Sequence, residues 1–310
     1  MKKVFIDGKA GTTGLRIYER LAERSDIEII LLSEEERKDP VARKKALNSC
    51  DVAFLCLPDD AARESVSMIE NDSVVVIDTS TAHRTLEGWC YGFPELSKEL
   101  DQKLQKAKRI AVPGCHASGF IALVKPLIDA GIISNEELLT CHSITGYSGG
   151  GKKMIADYET AERDNLLDAP RQYGITQTHK HLKEMQAITG LKNAPIFCPI
   201  VSDFYSGMMV TVPLFASQIK DGKTVEDIKN LFAEKYTTSI VKYDPNFDDG
   251  GFISAAKLKD SDAMTVTVSG NEDRILLIAV YNNLGKGASG AAIECMNVVL
   301  KQDKTLALDI

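Results

Sequence analysis

The heptapeptide Pro113-Gly114-Cys115-His116-Ala117-Ser118-Gly119 follows a β-like run, Arg109 to Val112, and opens a helical stretch. A cysteine at that junction lies at the positive end of a helix dipole and at the carboxyl edge of a sheet, which lowers a thiol pKa and exposes the thiolate. Those are the needs of a nucleophile, and Cys115 is the candidate; the competing reading is one more small core residue among seven cysteines. A thiol nucleophile requires a general base, and the histidines are His83, His116, His142, His179 and His181. His179-Lys180-His181, with Glu184 three positions on, sets two imidazoles and a carboxylate near a predicted helix start. The segment reads as a base, a metal pair or a solvated helix face; a metal needs more ligands than it supplies, so no metal site is expected.

Two glycine-rich loops bear on anions. Val4-Phe5-Ile6 runs into Gly8-Lys9-Ala10-Gly11-Thr12-Thr13-Gly14 and then a helix. Glycines let the backbone turn tightly while helix N-terminal amides point at a pyrophosphate, so Gly8, Gly11, Thr12, Thr13 and Gly14 form a candidate dinucleotide site with G-x-x-G-x-x-G spacing. The next strand ends at Ser33-Glu34: an acidic residue there favours the ribose hydroxyl of NAD, while Ser33 beside Arg37 and Lys38 suits the 2′-phosphate of NADP, and the residues alone leave both open. The second loop, Gly146 to Lys152, matches G-x-x-x-x-G-K, but position 153 is Lys where a P-loop needs Ser or Thr for magnesium. Ser148, the glycine amides and a lysine at a helix start still make an anion cradle; a flexible turn is the plainer reading.

The elements that must position these residues change character midway. Up to residue 115, short Val/Ile/Leu runs (Ile27 to Leu32, Val52 to Leu57, Val74 to Ile77) alternate with helices at Gly14 to Arg24 and Ala61 to Glu70, predicting a doubly wound parallel α/β sheet covered on both faces. Longer strands follow at Leu138 to Thr145, Met208 to Phe215, Met264 to Ser269 and Ile275 to Tyr281, the last two joined by a tight turn. With helices at Lys152 to Leu166, Thr178 to Ile188 and Val225 to Lys235, they predict an α+β second domain. A final amphipathic stretch, Ala288 to Leu300, is expected to return to the first domain. The predicted division is 1–114 with 286–310, and 115–285.

Composition narrows the class. The chain has 310 residues with Lys+Arg 37 and Asp+Glu 44, a net charge of −7, which argues against an extended nucleic-acid surface. The longest apolar run, Ile275 to Tyr281, has seven residues against the ~18 a membrane span needs. Val4-Phe5-Ile6 is too short for a secretory segment, and the scattered cysteines lack any C-x-x-C pair, so a reducing, cytoplasmic setting is expected.

Taken together, Gly8-x-x-Gly11-Thr12-Thr13-Gly14, Asp78-Thr-Ser-Thr-Ala-His-Arg84, Tyr91-Gly-Phe-Pro-Glu-Leu96, Pro113-Gly114-Cys115, Ser148-Gly-Gly-Gly-Lys152, His179-x-His181 and Asn283-Leu-Gly-Lys-Gly287 resemble the N-acetyl-gamma-glutamyl-phosphate reductases of arginine biosynthesis, relatives of aspartate-semialdehyde dehydrogenase. The resemblance spans essentially the whole chain, and the Pro-Gly-Cys-His-Ala-Ser string is similar to the compact variant. Longer members carry arginine where Lys152 stands and H-R-H where this chain has His-Lys-His; lysine keeps the charge but loses the bidentate fork. Aspartate-semialdehyde dehydrogenases typically have Asn where this chain has Gly114.

The resemblance implies a Rossmann-type domain beside a substrate and dimerisation domain, NADP(H) as cofactor, an acyl-phosphate substrate and a homodimer or homotetramer. It implies that Cys115 forms a thioester, that His181, with His179 as its alternative, moves the proton, and that Arg84, Ser148, Gly149 and Lys152 hold substrate anions. Asn283 and Lys286 would approach the cofactor. The rival readings are reduction of another acyl phosphate, as in aspartate-semialdehyde dehydrogenase, and a non-catalytic NADP-binding sensor.

Overall fold

The computed structural model describes all 310 residues, and the chain divides into two compact units, residues 1–114 with 288–308, and residues 115–287 with 309–310. The first unit runs β1 (Lys2–Asp7), α1 (Thr12–Ala22), β2 (Ile27–Ile30), α2 (Pro40–Ser49), β3 (Val52–Leu55), α3 (Asp59–Ser67), β4 (Val75–Asp78), β5 (Cys90–Tyr91), α4 (Lys98–Leu104) and β6 (Arg109–Ala111). All pairings are parallel, in the order β2-β1-β3-β4-β6-β5. Every residue of β3 and β4 is buried, as expected of strands covered on both faces. Chain order reverses between β1 and β3, the switch point where open α/β sheets bind ligands.

In the second unit, α5 (Cys115–Asp129) is followed by β7 (Thr140–Gly146), α6 (Gly151–Glu159), β8 (Arg171–Gln172), α7 (His181–Thr189), β9 (Ile196–Ser202), β10 (Met208–Phe215), α8 (Val225–Lys235), β11 (Val241–Tyr243), β12 (Met264–Gly270) and β13 (Arg274–Tyr281). They form a mixed seven-stranded sheet, β11-β12-β13-β10-β7-β9-β8. Five-residue π-helical Gly285–Ser289 leads to α9 (Gly290–Val299), whose Ala291, Ala292, Ile293 and Met296 join Val4, Ile17, Phe54 and Ile110 in the first unit's core.

Several elements differ from expectation for local reasons. The helix predicted to reach Leu166 stops at Glu159, because Asp164 accepts from Leu166 N and Arg163 pairs with Asp168 and Asp203, drawing the following residues into a separate turn. The charged segment before β3 is the helix α2, begun by Asp39, whose carboxylate accepts from the amides of Val41 and Ala42, with Pro40 at the first position. The last helix starts at Gly290 rather than Ala288, since the π-helical turn occupies the preceding residues.

Candidate active site and cofactor cleft

Gly8 follows β1 with φ +87°, and a Cβ on it would lie 2.3 Å from the carbonyl oxygen of Cys56, so only glycine fits this turn. Gly11 N then donates to Gly8 O at 2.9 Å and Gly11 N-caps α1, whose first turn, Thr12 and Thr13 included, has neither a capping side chain nor an acidic residue. The unpaired first-turn amides of a helix are anion donors. Beside this loop a cavity of about 540 Å³ is lined by Gly8, Lys9, Glu34, Arg37, Lys38 and Arg43. Such a cradle fits a nicotinamide dinucleotide. Lys9 Nζ lies 3.2 Å over the Tyr18 ring, and Arg43 is tied to Asp7 at 3.1 Å and to Ser65.

Ser33 does not line the cavity. It makes a reciprocal pair with Glu36, Ser33 N donating to the carboxylate at 2.8 Å and Glu36 N to Ser33 Oγ at 3.2 Å, while Arg37 pairs with Glu34 at 2.8 Å. Arg84 is buried rather than presented as an exposed cation: Nε donates to Val112 O and Nη2 to Thr79 O, both at 2.9 Å, linking the ends of β4 and β6.

In the second unit Cys115 is the first residue of α5 and is partly buried. His116 turns inward, its Nδ1 2.6 Å from Ser143 Oγ and its Nε2 2.6 Å from Tyr173 Oη. The rings of His179 and His181 lie 5.9 Å and 5.6 Å from His116 and 4.7 Å from each other, centroid to centroid. His181 opens α7, which packs on α5, and its backbone N–H donates to His179 Nδ1 at 3.2 Å. The other two histidines lie elsewhere. His83 is buried in the first unit, 2.6 Å from Asp78 and stacked on Trp89, and His142 is exposed on β7.

Burial dominates the electrostatics. It lowers His116 to about 3, with the charge of His179 a second cause, and lowers His179, with Lys180 second. Both are neutral near pH 7, and because His179 Nδ1 accepts, its proton resides on Nε2. Burial raises the Tyr173 phenol, with the charge of Cys115 the second cause, so the hydroxyl keeps its proton beside the thiol. A stability consequence follows. Unfolded His116 takes a proton near pH 6.5 whereas the folded form resists until about 3, so the unfolded state binds more protons across that window and stability falls as pH drops. We expect urea unfolding free energies to fall between pH 6.5 and 4.5 with a slope approaching about 1.4 kcal/mol per pH unit from this group, and the slope, though not the absolute stability, to flatten in His116→Gln. An equal slope in the variant would assign the acid sensitivity elsewhere.

The second glycine loop is braced. Ser148 N donates to Tyr205 O, and Asn283 connects two segments, Nδ2 donating to Ser148 Oγ at 3.0 Å and Oδ1 accepting from Gly207 N at 2.8 Å. Asn283 thus has both ends of its amide engaged in organising this loop, where a cofactor contact had been expected. Gly149 and Lys152 are exposed, Lys152 in the uncapped first turn of α6, and Lys286 is buried in the π-helical turn. Sequence reasoning missed Tyr173, Ser143 and Arg43, and counted His116 only among the histidines; Tyr173 just ahead of Gly174, with its positive φ, was the available signal. No cluster of three or more His, Cys, Asp or Glu side chains is arranged to hold a metal ion, and no helix is long and apolar enough to cross a membrane.

The doubly wound unit with its glycine-loop cleft and the α+β unit whose first helix begins at Cys115 are matched separately by models of the semialdehyde dehydrogenases, a class of oxidoreductases. The family model "Semialdehyde dehydrogenase, NAD binding domain" matches residues 3–103, and "Semialdehyde dehydrogenase, dimerisation domain" matches residues 115–283. The chain belongs to the N-acetyl-gamma-glutamyl-phosphate reductase family within that class. It is 45% identical to the enzyme of that name from Chelativorans sp. over 96% of this chain and 98% of the relative, and 43% identical to N-acetyl-gamma-glutamyl-phosphate reductase 2 from Nostoc sp. over 99% of both. Among solved structures, aspartate semialdehyde dehydrogenase II from Vibrio cholerae superposes with a TM-score of 0.75 over 97% of this chain and 98% of that one, at 18% identity, a likeness of fold.

Proposed function

We propose that this chain reduces N-acetyl-L-glutamyl 5-phosphate to N-acetyl-L-glutamate 5-semialdehyde and phosphate, with NADPH as the reductant and Cys115 as the covalent nucleophile. The observation that carries the reading is the first residue of α5 being a partly buried cysteine, with two imidazoles and a phenol gathered around the next residue. The relatives' shared name supports the substrate.

In this reading His181 takes the thiol proton, the Cys115 sulfur attacks the acyl carbon, and the bond to the phosphate oxygen breaks to leave a thioester and free phosphate. Bound nicotinamide supplies the hydride that reduces the thioester. The acyl oxygen, which gains negative charge at each addition, receives hydrogen bonds from His179 Nε2–H and the first-turn amides of α5. When the C–S bond breaks, the aldehyde leaves and the proton returns from His181 to sulfur. Ser148, Gly149 and Lys152 hold the substrate's anionic groups; Arg84, engaged on backbone carbonyls, maintains the loop rather than the substrate.

For the cofactor, Gly8, Gly11, Thr12, Thr13 and Gly14 would hold the pyrophosphate, and Ser33, Arg37 and Lys38 the 2′-phosphate. The exposed Arg37–Glu34 pair is weak enough for a phosphate to replace Glu34 as the arginine's partner. Charge-assisted bonds contribute about 1.5–3 kcal/mol each, so Arg37→Ala with Lys38→Ala should raise KM for NADPH by roughly tenfold or more and leave KM for NADH within twofold. Equal effects on both would remove the phosphate role. We also infer a cytoplasmic homo-oligomer, joined through the open face of the second sheet where Ile144, Ile200, Thr211 and Pro213 are only partly covered and Phe215 is 64% exposed.

The activity is tested by phosphate-dependent NADP⁺ reduction with N-acetyl-L-glutamate 5-semialdehyde, beside L-aspartate 4-semialdehyde and with NAD⁺ as second cofactor. Turnover of the acetylated aldehyde with NADP⁺ is expected. Turnover of the aspartyl aldehyde alone would overturn the substrate, and binding of NADP⁺ without turnover of either would favour a sensor.

A further inference from the structure

The first turn of α5 is clasped by a side chain from β13. The carbonyl of Cys115 and the N–H of Gly119, four residues on, span that turn. Both groups meet one hydroxyl: Gly119 N donates to Tyr281 Oη at 3.0 Å, and Tyr281 Oη donates in turn to Cys115 O. The direction of this chain is fixed, because an amide N–H only donates, a carbonyl only accepts and a hydroxyl does both. Tyr281 ends β13 and is fully buried, and burial, then the charge of Cys115, holds its phenol well above the ordinary value, so the bridging proton stays in place.

Space around the bridge is tailored to it. A Cβ on Gly119 would lie 2.8 Å from Tyr281 Oη and 2.7 Å from Val210 Cγ2, so a larger residue would drive the hydroxyl out of the turn. On the other side of the same cysteine, a Cβ on Gly287 would lie 3.1 Å from Cys115 Cβ and 3.4 Å from its Cα. One continuous segment, Tyr281 to Gly287, therefore meets Cys115 at its carbonyl and at its side chain. That segment runs into the π-helical turn, a departure from regular helix that occurs frequently at functional sites. At the residue that opens the helix, one buried hydroxyl thus bonds both the carbonyl and the amide that span the first turn.

We propose that Tyr281 is a positioning residue for Cys115: its inserted hydroxyl sets the tilt of the Cys115 peptide and, with Gly287 behind, the direction in which the thiol leaves the helix. The inference rests on Cys115 being the nucleophile. Without the hydroxyl, Cys115 O and Gly119 N lose their shared partner, the Cys115 peptide is free to reorient, and the sulfur shifts relative to the first-turn amides that stabilise its thiolate.

The test is Tyr281→Phe in the full chain, which keeps the ring and removes the bridge. Misplacement of a reacting group on the ångström scale costs up to about 100-fold, so kcat should fall by roughly 10 to 100-fold while KM for acyl phosphate and NADPH stays within twofold. The rate of Cys115 alkylation by iodoacetamide should fall with it and its pH midpoint move upward. Loss of packing alone would lower Tm but leave the pH midpoint in place. Should Tyr281→Phe prove too unstable, Gly119→Ala expels the hydroxyl with the tyrosine retained, and the same losses are expected. Unchanged kcat and an unchanged alkylation profile in the folded variant overturn the proposal. Two controls separate this from failure of the nucleophile assignment: wild-type alkylation mapped to Cys115, and loss of turnover in Cys115→Ser. If either control fails, the assignment and the inference fall together; if both hold and the variant is unchanged, only the positioning role falls.

Discussion

Cys115→Ala is expected to lower kcat by roughly 10⁴-fold or more, the scale on which enzymes lose turnover when a covalent nucleophile is removed. Alanine at the head of α5 has a favourable helix propensity and keeps the first-turn amides in place, so the loss is chemical rather than structural. NADPH binding should be unaffected within twofold, since the glycine-loop cavity is lined entirely by the first unit. A variant that binds cofactor normally and turns over within tenfold of wild type would end the covalent mechanism.

The two histidines of the His-Lys-His string should separate in kind as well as in degree. His181→Gln is expected to cost 10² to 10⁴-fold in kcat, the usual range for a general base, because an amide cannot take a proton. His179 is different: its Nδ1 already accepts from the His181 amide and its Nε2 carries the proton of a neutral ring, so its part is that of a donor. Glutamine retains an N–H donor, and His179→Gln should lose about tenfold where His179→Ala loses the 10² to 10³-fold typical of a missing oxyanion donor. Rescue by glutamine at position 179 and none at position 181 is the pattern expected in steady-state kinetics; the reverse pattern would exchange the two roles.

What was legible in the sequence is what is encoded locally. The strand, glycine loop and helix from Val4 to Ala22 announce themselves through the spacing of their glycines, of which Gly8 takes a positive φ and Gly11 opens α1 without a capping side chain. Met208–Phe215 and Val225–Lys235 are read with their boundaries intact; the apolar β-formers of the first outweigh the single Pro213, and the second opens on a Thr224–Asp227 capping box. β9 escapes sequence reading; like β10 it carries an internal proline, Pro199, whose carbonyl still accepts from Tyr173 N. What could not be read is what only tertiary packing brings together. His116 meets Ser143 and Tyr173 across 27 and 57 residues, and the Tyr281 hydroxyl enters the turn at Cys115 across 166. The same holds for Arg84 and Asn283: a motif identifies an arginine or an asparagine, and the fold decides that backbone carbonyls and a neighbouring loop are its partners.

The most direct test of the covalent reading is to mix the protein, without nicotinamide cofactor, with N-acetyl-L-glutamyl 5-phosphate, quench in acid, and weigh the intact chain before peptide mapping. One N-acetylglutamyl group per chain, labile to hydroxylamine and confined to the peptide carrying Cys115, is the predicted result. Phosphate release with no adduct, or an adduct on any other residue, would contradict it.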